Sequence, residues 1–117
     1  MQDIVQETLE SMIDYVPKLA AASEKIAHDI QTHQEGWIDT LLAYLEGLNW
    51  LVEAVAGLQR LDQFLLEDWN IELIKPHMDQ MAEALEQNDF VSLCDLLQYE
   101  LRPMLESCEE QLRGMVH

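Results

Sequence analysis

The chain has 117 residues, of which 49% are hydrophobic and only 4 are Gly and 3 Pro, enough for one domain with a packed core and too apolar for global disorder. Acidic side chains outnumber basic ones 23 to 6, a net charge of −17, so nucleic acid and anionic membranes make poor partners while basic proteins or cations suit better. The plainest reading of the acids is a solvated face that keeps a helical protein soluble.

The opening MQDIVQETLE has neither the basic region nor the apolar run of a signal peptide, which gives a cytoplasmic expectation. Leu, Met, Ala, Glu and Gln dominate over β-branched residues, a helix-forming vocabulary. In the first helix, Val5, Leu9, Met12, Val16, Leu19, Ile26 and Ile30 step by four and three, with one gap of seven passing through Ser23. Gly36 is the expected C-terminal cap. The second helix runs from about Trp37 to Leu58, on the stripe Trp37, Leu41, Tyr44, Leu48, Leu51, Val55 and Leu58.

The segment LDQFLLEDWN (61–70) is apolar enough to pack and suits one or two helical turns. Asn70 can cap a third helix carrying Ile71, Ile74, Met78, Met81 and Leu85. QNDF (87–90) then supplies Asn88 or Asp89 as cap for a fourth. There Phe90, Cys94, Leu97, Leu101, Met104, Cys108, Leu112 and Met115 form the inward stripe. Four such stripes with short connectors predict an all-α, up-down-up-down four-helix bundle in a single domain, 1–117.

Three prolines interrupt the stripes: Pro17, Pro76 and Pro103. Each removes an amide that would bond the carbonyl four residues earlier. Because the apolar stepping passes through Pro17 and Pro103, those helices are expected to kink rather than end.

About 15 of the 22 residues in 37–58 are apolar, against roughly 3 in 7 for an ordinary bundle helix. Asp39, Glu46, Asn49 and Glu53 break the run, so it is not read as a membrane span. Helix 2 is therefore placed centrally, wrapped by the other helices and by 61–70, the alternative being that its second face meets another chain. Trp37, Tyr44 and Trp50 are the anchor candidates for such an interface, although large core residues at helical spacing explain them somewhat more simply.

Chemistry is hard to find. None of the four histidines lies three residues after a carboxylate, as the di-metal sites of helical bundles require. Glu24 and His28, and Asp29 and His33, sit at i, i+4 on the polar side of helix 1 and read as surface pairs. EALE (83–86) and ESCE (106–109) imitate the acidic signature of all-α nucleotide pyrophosphohydrolases. If helices 3 and 4 fold back near residue 88, however, the two clusters are offset by roughly 18 Å, too far for one Mg²⁺ cluster. No serine lies in a strand-turn-helix elbow, and no Gly-rich phosphate loop occurs.

Cys94 and Cys108 lie 14 residues apart in one helical pattern, about 21 Å at the helical rise, and read as reduced core thiols. Nearly every base has an acidic helical neighbour: Lys18 with Asp14, Lys25 with Asp29, Lys75 with Glu72 and Asp79, Arg102 with Glu106, Arg113 with Glu109 and Glu110. Little free positive charge is left to hold a phosphate or carboxylate substrate.

The run DFVSLCDLLQYELRPMLESCEEQL (89–112) resembles an uncharacterised family of small acidic helical proteins of Gram-positive bacteria. The residues that carry the resemblance are Asp95, Leu96, Leu97, Tyr99, Glu100, Leu101, Pro103 and Leu105, about one fifth of the chain. A similar segment occurs in proteins associated with flagellar motility and flagellin glycosylation. The resemblance implies a bacterial cytosolic helper or chaperone near a motility or export system, and it carries over no catalytic residue.

The reading is a non-enzymatic protein–protein interaction module without cofactor or metal, binding another protein or itself as a homodimer through an apolar helical surface. Its candidate contact residues are Trp37, Tyr44, Trp50, Tyr99 and Glu100. The alternative is a bundle that binds a small ligand or metal, enzymatic or not.

Overall fold

The computed structural model describes residues 2–61 and 74–115. They are all-α: α1 (Gln2–Gln31), α2 (Trp37–Leu61), α3 (Ile74–Glu86), α4 (Phe90–Asp95), a π-helical turn (Leu96–Leu101) and α5 (Arg102–Met115). The expected packing of 61–70 and the start of the third helix at Asn70 fall outside the described residues, apart from Leu61, which ends α2 and is exposed.

α1 is one continuous helix through Pro17. Its inward stripe is the predicted one, with Leu9, Met12, Val16, Leu19, Ile26 and Ile30 buried and Val5 partly so. Ser23 fills the gap in that stripe without breaking the core. Its hydroxyl donates to the Leu19 carbonyl at 3.1 Å and is paired with the Tyr44 hydroxyl of α2 at 2.5 Å. Two buried polar groups thereby satisfy each other in an apolar setting, where an unpaired one costs about 1–3 kcal/mol.

α1 packs against α2 on one side and against α4, the π turn and α5 on another, while α3 packs on α4 and the π turn. Among the described elements it is α1 that packs against most of the others, while α2 packs against α1. α2 buries Leu41, Tyr44, Gly47, Leu48, Leu51, Val52, Val55 and Leu58 along one face and leaves Ile38, Leu42, Trp50 and Leu61 exposed. α2 is long and apolar enough to cross a membrane by length and composition alone, but 44% of its richest window is buried inside the protein.

Contacts along α1 and α2 run in opposite order: Tyr15 meets Trp50 edge to face, and Ser23 meets Tyr44. Between them Gly47 lets the helices close, since a Cβ there would sit 2.9 Å from Leu19 Cδ2 and crowd the Tyr15 hydroxyl. α1 is likewise antiparallel to the final rod formed by α4, the π turn and α5, with Ala27 accepting from Cys94 Sγ at 3.7 Å and Glu24 bridging to Arg102 at 3.6 Å.

Both described turns are Schellman closures. At the end of α1, the His33 amide donates to the Ile30 carbonyl and the Gln34 amide to that of Asp29, with His33 left-handed at φ 58°. After α3, the Asn88 amide donates to Leu85 and the Asp89 amide to Ala84, with Asn88 at φ 56°. This is the 5→2 and 6→1 pattern that satisfies orphan carbonyls at a helix end. The cap expected at Gly36 therefore falls on His33. Gly36, at φ 85°, instead begins α2, its carbonyl accepting from the Thr40 amide and hydroxyl. Asn88 closes α3 while Asp89 opens α4, its carboxylate accepting from the Ser92 amide at 3.2 Å and hydroxyl at 2.6 Å.

The last helix differs most from its predicted stripe. Leu96–Leu101 form a π turn in which the Arg102 amide reaches back to Leu97, five residues rather than four. A proline at 103 cannot bond Tyr99, and its ring would crowd that carbonyl in a regular α turn; a widened turn just before it is a known accommodation. The expected residues Cys94, Leu97, Leu101, Cys108 and Leu112 are buried, and the extra residue changes the stripe only locally. Leu93, Leu97, Leu101 and Leu105 step by four, followed by Cys108 and Leu112, all buried. Leu105 takes the core position expected for Met104, which is half-buried at the edge. Phe90, expected in the core, is 38% exposed.

Candidate functional site

The expected contact residues fall in four separate places. Tyr44 is in the core, 3% exposed, and bonded to Ser23. Burial pushes its phenol above the usual range, with the Ser23 bond opposing. It offers no surface to a partner, which corrects the expectation drawn from its aromatic character.

Trp50 keeps one edge in solvent and packs the other on Tyr15, with ring centroids 5.4 Å apart at 88°. It borders a groove of about 580 Å³ lined also by Ser11, Asp14, Tyr15, Ala43 and Glu46.

Tyr99 and Glu100 lie on the π turn, both exposed. They line a groove of about 590 Å³ between α3 and α4 together with Gln80, Glu83, Asp89 and Asp95. Glu100 is also 3.9 Å from His77 Nε2 of α3. Amide and carboxylate side chains mix there with the apolar surface of Ala84, Leu96 and the Tyr99 ring.

Trp37 sits elsewhere, at the pole where the α1–α2 turn meets the start of α4. Its ring meets Phe90 edge to face, centroids 5.4 Å apart at 81°. Ile38, Val91, Ile30 and Cys94 complete an apolar groove of about 780 Å³. Val91 is 75% and Ile38 48% exposed, and Leu42 lies one turn further along α2, also exposed. The chain places this patch by local means. The Schellman turn at His33 swings α2 back along α1, and the Asp89 cap starts α4 so that Phe90 and Val91 occupy its first turn. Phe90, Val91 and Ile38 were invisible as a site in the sequence. Phe90 matched the core stripe, and the other two carried no chemical signal beyond being apolar beside a turn.

The remaining chemistry is occupied or quenched. Arg102 binds both Glu106 at 3.0 Å and Glu24; Arg113 holds Glu109; Lys18 and Lys25 hold Asp14 and Asp29. Glu24 thus faces Arg102 rather than a shared cation with His28. Glu106 and Glu109 are likewise engaged on α5, while Glu83 lines the groove beside α3. Both cysteines are free and buried. Desolvation pushes the Cys108 thiol up to about 12, and desolvation with the neighbouring Asp95 charge also raises Cys94, the reverse of an activated nucleophile. Among the described residues no three His, Cys, Asp or Glu side chains converge as a metal site.

No curated protein and no solved structure matches the chain. One family model does, described as a domain of unknown function, DUF8042, and it spans residues 7–111. With nearly the whole helical core inside that span, the chain belongs to the DUF8042 family.

Proposed function

We infer that the chain is a non-enzymatic protein–protein interaction module that holds its partner at the apolar pole formed by Trp37, Ile38, Phe90 and Val91. The observation that carries this reading is the exposed trio of Phe90, Ile38 and Val91 gathered around the half-buried Trp37 ring. Aromatic and aliphatic side chains left in water beside a groove large enough for several partner side chains are what protein interfaces concentrate. The raised thiols and the pairing of most bases on nearby acids support a non-enzymatic role. A cytoplasmic setting near a motility or export system is the further expectation that the sequence resemblance brings.

The test is copurification with tagged chain from its native cells, comparing wild type with Ile38→Asp/Val91→Asp. A partner held by wild type and lost from a folded double variant supports the reading. A partner kept by that variant but lost on Tyr99→Ala would move the site to the α3–α4 groove. A melting temperature raised by divalent cations and lowered by chelator would favour the metal-binding alternative instead.

A further inference from the structure

Resting on that reading of the apolar pole, we propose that its occupant is a basic amphipathic helix, with an apolar face flanked on both sides by Lys or Arg. The charges around the groove carry the inference. Glu35 and Asp39 stand on the α1–α2 side and Asp95 on the α4 side, all exposed, and no Lys or Arg is among the described lining residues. The apolar floor of Trp37, Ile38, Phe90 and Val91 thus lies between two negative rims.

An extended apolar floor suits a helix presenting anchors at i, i+3 or i+4, and i+7. Two negative rims favour positive flanks on that helix and penalise acidic ones. The whole chain reinforces the preference, because a net charge of −17 draws cationic partners and repels anionic ones. The same charge disfavours a second copy of this chain at the groove. An isologous contact there would bring the acidic groups of both copies, Glu35, Asp39 and Asp95, into one desolvated seam with no base beside them.

The experiment uses the full chain and three fluorescently labelled synthetic helical peptides of about 18 residues. The first has a leucine face flanked by lysine, the second the same leucine face flanked by glutamate, and the third the lysines with serine in place of leucine. The leucine–lysine peptide is expected to bind one to one, at least about tenfold tighter than either control, with affinity falling as salt rises. Glu35→Lys/Asp39→Lys/Asp95→Lys should weaken it by about tenfold or more, while Glu7→Lys/Glu10→Lys/Asp14→Lys, at the far end of α1, should change it by no more than about twofold.

Equal binding of the serine–lysine peptide, or equal loss on the distant charge reversal, would overturn the proposal in favour of unspecific attraction to a polyanion. Equal binding of the leucine–glutamate peptide, with loss on Ile38→Asp/Val91→Asp, would overturn the basic partner and leave the apolar site standing. Unchanged binding in a folded Ile38→Asp/Val91→Asp variant would overturn the site itself. A dimeric mass by light scattering that this variant abolishes would replace the basic helix with a second copy. The three peptides compared on the unaltered chain decide the charge question even if a variant fails to fold.

Discussion

α1 and the final rod of α4, π turn and α5 are both long apolar-striped helices with a proline inside, and they meet that proline differently. α1 runs through Pro17 as one α-helix with its stripe in the predicted register. The final rod widens into a π turn over Leu96–Leu101 ahead of Pro103 and emerges with Leu105 inward where Met104 was expected. The difference teaches that a proline's position in a stripe does not fix its structural outcome. In α1 the Ile13 carbonyl simply lacks its usual donor. In the final rod one residue is looped into the turn, and Leu105 replaces Met104 in the core before the stripe resumes at Cys108 and Leu112.

The sharpest way to break this comparison is to truncate the two rival core residues. Leu105→Ala is expected to cost about 2–5 kcal/mol, as for a buried leucine. Met104→Ala should cost about 1 kcal/mol or less, since its side chain keeps partial solvent contact. Chemical denaturation of both variants decides the matter. The reverse ranking would mean that the regular register, without the π turn, holds in solution.

Ser23→Ala attacks the register of α1 in the same way. It strands the buried Tyr44 hydroxyl, an expected loss of about 1–3 kcal/mol, and Ser23→Ala combined with Tyr44→Phe should recover much of it. No recovery in the double variant would mean that the hydroxyl pair does not bind α1 to α2.

Replacing the prolines themselves sharpens the contrast directly. Pro17→Ala restores an α-helical amide to Ile13 and should stabilise by about 1–2 kcal/mol. Pro103→Ala should gain about 1 kcal/mol or less, because the π turn has already relieved the ring's crowding. Leu105, Cys108 and Leu112, all fully buried, should hold that turn open. Thermal melts rank the two gains, and a structure of Pro103→Ala with Met104 buried in place of Leu105 would show that the proline alone sets the turn.

The turns yield the smaller effects. His33→Gly relieves a left-handed side chain and should stabilise by about 0.5–1 kcal/mol, and Asn88→Gly by less, since Asn tolerates that conformation better. Equal gains would argue that the φ of His33 costs nothing. At the start of α4, the Ser92 hydroxyl first and its amide second hold the Asp89 carboxyl below its usual range. A depressed folded value gives stability that is present above the unfolded carboxyl's range and lost as pH falls through the folded one. Acid titration should therefore loosen the first turn of α4 in wild type but not in Asp89→Asn, as amide exchange at Ser92 and Leu93 would show.

What the sequence by itself determined is the local part of this protein. The 3.6-residue spacing of apolar side chains specified helices and, in α1, the buried face residue by residue. The charge count set an acidic surface, and the i, i+4 ion pairs of Lys18, Lys25, Arg102 and Arg113 followed from spacing alone. Tertiary structure decided the rest, because it depends on which faces meet. Only packing shows that α1 lies between the other described helices, that Tyr44 finds Ser23 and leaves the surface, and that one extra residue before Pro103 swaps Met104 for Leu105. The apolar pole is of the same kind. Trp37 and Phe90 are 53 positions apart in the chain and meet only because two helix turns converge there, so their shared groove could be found only in the folded molecule.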